Sequence, residues 1–364
     1  MKNKLAVYIH IPFCRKKCYY CDFLSFTSSE EKRREYLEVL VKELELYSDL
    51  LYERGVSSLY FGGGTPSLLS EKELEYLFSK VFEKAKPQGE ITFEMNPEDV
   101  SPSKLKLLKN YGDFRISLGA QSFEEELLKL FGRNHGVDEI FRAVDTLDSL
   151  DFNNYSLDII YAVTEKFNMD KNISAIKAIY PSHLSCYALE LHPSRPLAKL
   201  IEEPNEDLYK RDWDKLKGSL YSMGYERYEI SSFAREGRLG FHNLNYWKGG
   251  DYLGLGLGAH GYIHPYRYSN ERNLRAYIER VEVGELPLAT KDYISHQDKR
   301  FEKFMLGLRL VQGIKLEELY PLSPKEKKAM DKHLANGLLK VREQRLCLSE
   351  EGFDLINHVL VDFL

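Results

Sequence analysis

The sequence predicts an α/β fold: a partial (β/α)6 TIM-like barrel, a covering extension and a small winged-helix-like C-terminal domain. Three observations carry that prediction. Strand-like and helix-like runs alternate over about the first 225 residues. The expected strands run into glycines, charges or amides at their carboxyl ends, where βα barrels build their sites. Further on the alternation stops, giving way to a Gly- and aromatic-rich stretch and then to a helical module.

Taken in order, Leu5–Ile11 reads as a strand and Ser29–Glu53 as one long amphipathic helix. Ser57–Phe61 precedes a helix at Glu71–Lys84, and Glu90–Met95 precedes Ser101–Asn110. Phe114–Leu118 leads into helices Glu124–Phe131 and Val137–Leu150. Tyr155–Tyr161 leads into Asp170–Ile179, and His183–Leu191 into Asn205–Met223. Residues 1–225 thus form the barrel, 226–295 an extension over part of its mouth, and 296–364 the last domain. In that domain helices are expected at Asp298–Leu310, Leu316–Tyr320 and Pro324–Asn336, then a hairpin over Leu338–Leu348 and a helix at Glu350–Phe363. Its twelve Lys and Arg against eleven Asp and Glu suit a docking module or lid better than a nucleic-acid reader.

The 364 residues are 43% apolar and 29% charged, enough for a sizeable core and too polar for membrane insertion. A formal net charge of -5 gives no reason to expect a polyanionic partner. Lys2 and Lys4 precede an apolar run, but His10 and Pro12 interrupt it and no small-residue cleavage site follows. The five cysteines are odd in number, and three lie too close together for a disulfide framework. A reduced, cytoplasmic protein is expected, with no integral membrane segment and no nucleic-acid partner.

Those three cysteines are the sharpest chemical feature. Cys14, Cys18 and Cys21 follow the first strand and would hold a metal centre by three thiolates, one ligand short of a closed site. A zinc ion completed by His10 or Asp22 is the plainer alternative. Downstream, Gly62-Gly63-Gly64-Thr65-Pro66 ends strand two, Glu94-Met-Asn-Pro97 ends strand three, Gly119-Ala-Gln121 follows strand four, and Asp158 lies on strand five. Taken singly, the glycines could make a tight turn, and Glu94 or Asp158 a cap or a buried ion pair.

Together these motifs resemble the radical S-adenosylmethionine (SAM) superfamily, from the Cys14-x3-Cys18-x2-Cys21 spacing onward. The resemblance narrows through Tyr8-Ile-His-Ile-Pro-Phe-Cys14, Phe61-Gly-Gly-Gly-Thr-Pro-Ser67, Ser117-Leu-Gly-Ala-Gln-Ser-Phe123 and Leu130-Phe-Gly-Arg-Asn-His135 to oxygen-independent coproporphyrinogen III oxidase and its relatives. The oxidase has a fourth cysteine where this chain has Phe23. His242-Asn-Leu-Asn-Tyr246-Trp247 instead resembles the signature of a heme chaperone branch.

The resemblance implies a [4Fe–4S] cluster on the three cysteines, with SAM bound to its open iron. Tyr8 and Tyr20 would then flank SAM, and Gly63, Gly64 and Thr65 would approach its amino group. Glu94 and Asp158 would hold its ribose or amino group, while Gln121 and Arg133 would fix ribose and carboxylate, Arg133 by a two-pronged bond. The family's Gly-Leu-Pro after the strand-five Asp is Ala162-Val-Thr164 here, which leaves Asp158 the less secure assignment. His242, Tyr246 and Trp247 would contact heme, or else plug the barrel's open side. No residue is assigned a catalytic role. The implied activity is heme transfer to an acceptor protein, with room for peripheral association with a membrane-bound one. The rival is oxidative decarboxylation of coproporphyrinogen, or another radical SAM reaction.

Overall fold

The computed structural model describes residues 4–363. Lys2 and the outermost ends of the 1–225 and 296–364 segments lie outside them. Six strands, β1 (Leu5–Ile11), β2 (Val56–Gly63), β3 (Ile91–Met95), β4 (Phe114–Gln121), β5 (Tyr155–Tyr161) and β6 (His183–Ala188), pair side by side in chain order. All five pairings are parallel, as helical crossovers require.

Alternation along these strands sorts the two faces of the sheet. Val7, Ile9, Leu59, Phe61, Phe93, Ile116, Leu118 and Leu157 are buried on the outer face in one continuous core. The helices over them contribute Leu37, Leu40, Leu44, Leu74, Leu77 and Phe78 at helical spacing. Ser29 caps the first of these helices, and Ser70 and Glu73 close a capping box on the second. The inner face is polar. Tyr60 donates its hydroxyl hydrogen to Glu94 Oε1 at 2.8 Å, and Ser117 to Asp158 Oδ2 at 3.1 Å. A closed TIM barrel packs this space with apolar layers; here it is left for chemistry.

The helix expected over Ser29–Glu53 breaks at Tyr47 into Glu30–Leu46 and Ser48–Arg54. The break turns the Tyr47 ring into the core. The hairpin and terminal helix expected after Leu338 are present as strands Leu339–Arg342 and Arg345–Leu348 and short helices Glu350–Asp354 and Ile356–Val361.

The extension differs most from expectation, since it forms wall rather than cover. Strand β8 (Ser232–Ala234) adds antiparallel to β6, and β7 (Glu226–Arg227) adds antiparallel to β8. Strand β9 (Tyr252–Leu255) pairs parallel to β1, and β10 (His260–Ile263), β11 (Tyr266–Asn270) and β12 (Leu288–Tyr293) continue outward as a meander. One sheet of 12 strands results, with β12 and β7 as its unjoined edges, so the barrel stays open. The C-terminal part has a separate core around Phe304, Ile314, Leu346, Phe353 and Val359, under a three-stranded sheet.

Candidate functional site

The cysteine loop leaves β1 at Ile11 and closes on itself. Phe26 N–H donates to Pro12 O at 2.9 Å, and Cys14 N–H donates to Phe26 O at 3.0 Å. Phe13 anchors the base of the loop edge-on to Phe26 and Tyr36. Its far side is pinned by Tyr19 N–H to Phe131 O and by Leu197 N–H to Tyr19 O. The Tyr20 ring packs edge-on to Phe131 at 4.9 Å. All three site thiols are partly exposed and free, whereas Cys186 and Cys347 are buried.

The glycines after β2 serve the loop first. A Cβ on Gly64 would stand 2.8 Å from Phe13 O and 3.0 Å from Cys14 Sγ, so only glycine lets the end of β2 pass beneath the first cysteine. Gly63, at φ +121°, donates its N–H to Glu94 Oε2 at 3.1 Å. Thr65 then donates its hydroxyl to Cys14 Sγ at 3.5 Å.

Glu94 and Asp158 stand in the polar interior. Burial pushes Glu94 up to about 7 against its bonds from Tyr60 and Gly63, and pushes Asp158 up to about 6 against bonds from Ser185 and Ser117. A cation arriving between them would restore both charges. A register shift between Leu118 and Gln121 on β4, with Gln121 at φ 67°, sets the Gln121 side chain near the pair Asn96 and Arg133, around Gly119.

Arg133 departs from expectation. Its fork is already engaged: Nη1 donates to Cys18 Sγ at 3.3 Å, and Nη2 to Asn96 Oδ1 at 2.7 Å and Gly119 O at 2.9 Å. Nη2 spends both its hydrogens on the protein, so a two-pronged bond to a SAM carboxylate through Nη1 and Nη2 together is not what these atoms offer; Nη1 keeps a second hydrogen, and Nε is buried without a partner. Asn96 was legible only as part of a motif, and it is the residue the sequence reading missed.

The zinc alternative fits poorly. His10 shares Nδ1 with Tyr8 OH at 2.9 Å and Nε2 with Leu24 O at 3.0 Å, and burial lowers its pKa to about 4. Asp22 is ion-paired to Arg195. Among the described residues no group of three or more His, Cys, Asp or Glu converges on a single ion. Thiolates on one tetrahedral zinc would lie about 3.8 Å apart, whereas a four-iron cluster seats each on its own iron. The buried Arg133 Nε and the hydrogen-bond donors at Cys14 and Cys18 suit the larger, anionic group.

His242 needs a correction. It is 1% exposed, with Nδ1 bonded to Ser58 Oγ and Nε2 to Tyr246 OH, each at 2.8 Å. Burial drives its pKa down to about 3, so the ring is neutral, and neither nitrogen is free for iron. Its helix, Phe241–Trp247, is capped by Glu90, which accepts from the Phe241 and His242 N–H groups. Ser58 and Glu90 lie toward the amino ends of β2 and β3, opposite the cysteine loop. Tyr246 is spent on His242 and on edge contact with Tyr252 at 4.7 Å. Only Trp247 reaches a groove, of about 430 Å³, shared with Lys299, Lys303, Leu306 and Arg345 of the C-terminal part.

Two departures from the relatives also find their places. Phe23, where the oxidase has its fourth cysteine, is 70% exposed on the cysteine loop. Ala162, standing for the family's glycine, keeps φ at +56° and donates its N–H to Asp212 at 3.2 Å. The turn after β5 is thus left-handed at Ala162 and held by Asp212.

Comparison with known proteins agrees with this geometry. Residues 8–170 match the Radical SAM superfamily, and residues 294–355 match the HemN C-terminal domain. The chain is 30% identical to the heme chaperone HemW of Bacillus subtilis, covering 99% of both chains. It is 32% identical to HemW of Escherichia coli over 99% of this chain and 98% of that one. HemW of Mycobacterium tuberculosis is 32% identical over 95% of this chain and 91% of its own. The solved coproporphyrinogen III oxidase of Escherichia coli shares the fold, with a TM-score of 0.86 and 22% identity across 100% of this chain and 90% of that one. With three thiols at the mouth of an open βα barrel and end-to-end similarity to these chaperones, the chain belongs to the HemW heme chaperone family of the radical SAM superfamily.

Proposed function

We propose that this protein binds a [4Fe–4S] cluster, SAM and heme, and passes the heme to an acceptor protein. The observation that carries the reading is similarity to heme chaperones over 99% of the chain. Phe23 at the place of the oxidase's fourth cysteine supports it.

When bound, the cluster supplies one-electron reduction of the SAM sulfonium. The chain's own residues do the rest. Cys14, Cys18 and Cys21 hold the cluster. Gly63 and Glu94 offer a carbonyl and a carboxylate to the amino group of SAM, and Asp158 and Gln121 face its ribose. Tyr8 and Tyr20 wall the site with aromatic surface. Arg133 Nε is a buried donor without a partner, open to an anionic group.

For heme, Trp247 is the surviving contact of the signature, because His242 and Tyr246 are locked together. Lys299, Lys303 and Arg345 line the same groove as Trp247, a combination suited to a flat apolar ring with propionates. Among the described residues no helix is long and apolar enough to cross a membrane.

The test is anaerobic reconstitution with iron and sulfide, then titration with SAM and heme on one sample. Heme binding by wild type and at least a fivefold loss in Trp247→Ala are expected. Anaerobic conversion of coproporphyrinogen to protoporphyrinogen would replace the chaperone reading with the oxidase.

A further inference from the structure

Four hydrogen bonds form an unbroken path between two of the three cysteines. Cys18 Sγ accepts from Arg133 Nη1 at 3.3 Å; Arg133 Nη2 donates to Asn96 Oδ1 at 2.7 Å. Asn96 Nδ2 donates to Thr65 Oγ1 at 3.3 Å, and Thr65 Oγ1 donates to Cys14 Sγ at 3.5 Å.

The chemistry of the partners sets every direction along this path. Guanidinium has no acceptor, so the face of Asn96 toward Arg133 must be its oxygen. The amide nitrogen is then turned to Thr65. Because the threonine oxygen receives that N–H, its single hydrogen is directed at sulfur. The amide at position 96 thus relays a fixed polarity that an ionised carboxylate or an alkyl group could not.

Asn96 is itself firmly held. It follows β3, Pro97 opens a short turn behind it, and its N–H donates to Ser67 Oγ at 3.1 Å. Ser67 in turn donates to Asp99 at 2.9 Å, and Asp99 also pairs with Arg15 of the cysteine loop. One residue at the end of β3 therefore sees the cysteine loop from two sides.

We propose that Asn96 is a positioning residue, joining Thr65 to Arg133 so that both thiolates carry a hydrogen bond that raises the electron affinity of the cluster. This rests on the cluster reading above. Donors aimed at cluster sulfurs stabilise the more negative reduced state, and outer partners of this kind tune metal sites.

The test is the midpoint potential of the reconstituted cluster, followed by EPR during an anaerobic redox titration. Thr65→Val removes the hydrogen without changing charge or shape, and should move the potential down. Thr65→Ser restores the donor and should titrate with wild type. Asn96→Asp keeps an acceptor for Arg133 but turns the threonine hydrogen away from Cys14, so it should also lower the potential. Combined with Thr65→Val it should shift the potential by less than the sum of the two, since one hydrogen bond cannot be lost twice. An unmoved potential in Thr65→Val, an equal fall in Thr65→Ser, or additive shifts would overturn the proposal. Iron and sulfide contents separate this from the underlying reading: wild type without iron would remove the cluster itself, and this proposal with it.

Discussion

At the scale of single residues, the site is governed by what burial does to charge. Glu94 faces the barrel interior with its pKa raised to about 7, so near neutrality it is poised between forms. A carboxylate holding the SAM ammonium must be ionised, and binding then takes up the cost of ionising it. SAM affinity should therefore fall as pH drops below about 7, by up to about tenfold per unit. Glu94→Gln should bind more weakly at pH 8 and show a flat profile; calorimetric titration from pH 6 to 8 reads both. A wild-type profile that does not slope would remove Glu94 from the amino group. Residues at this scale were unevenly legible. The cysteines and glycines announce themselves by spacing, and Ala162 by its departure from a motif. The left-handed turn at Ala162 was not visible, because a backbone angle is set by neighbours such as Asp212.

At the scale of elements, the Phe241–Trp247 helix shows how a motif can be read correctly as a family mark and wrongly as a contact. Its His242 is a structural bridge between Ser58 and Tyr246. Replacing it by alanine strands two buried hydroxyls and opens a cavity, costing about 3 kcal/mol. Urea unfolding of His242→Ala should show that loss, while Trp247→Ala, on the groove, should leave stability within about 1 kcal/mol. If His242→Ala keeps full stability and loses heme, the bridge is incidental and the original assignment returns. The helix and strand boundaries themselves were close to expectation, since helical spacing and N-caps are written locally. The extension was not, because its strands are only two to six residues long and it joins the barrel through β9 on β1 and β8 on β6, partners far along the chain.

At the scale of the whole molecule, a buried carboxylate ties the extension to the barrel. Glu43, on the Glu30–Leu46 helix, accepts from Gly256 N–H at 2.7 Å, Asn270 Nδ2 at 2.6 Å and Tyr277 OH at 2.6 Å. Burial raises its pKa from 4.5 to about 7. A carboxylate raised in the folded state favours folding most below its unfolded pKa and loses that contribution as pH climbs through the folded value. Stability should thus decline between about pH 4.5 and 7 from this group, with Glu94 and Asp158 adding in the same sense. Glu43→Gln should flatten that part of a melting-temperature profile, and an unchanged slope would show that folding does not raise the Glu43 carboxyl above its unfolded value. Its three donors lie more than 200 residues from it in the chain, which no local pattern reports.

The order of βα units, the apolar outer face, the cysteine triplet and the family were all determined by the sequence itself, because periodicity and short spacing act within a few residues. Only the tertiary structure decided that the extension is wall, that His242 is a buried brace, and that Asn96 links Cys14 to Cys18. Each depends on strand register and on side chains meeting across the sheet, where distance in space bears no relation to distance along the chain.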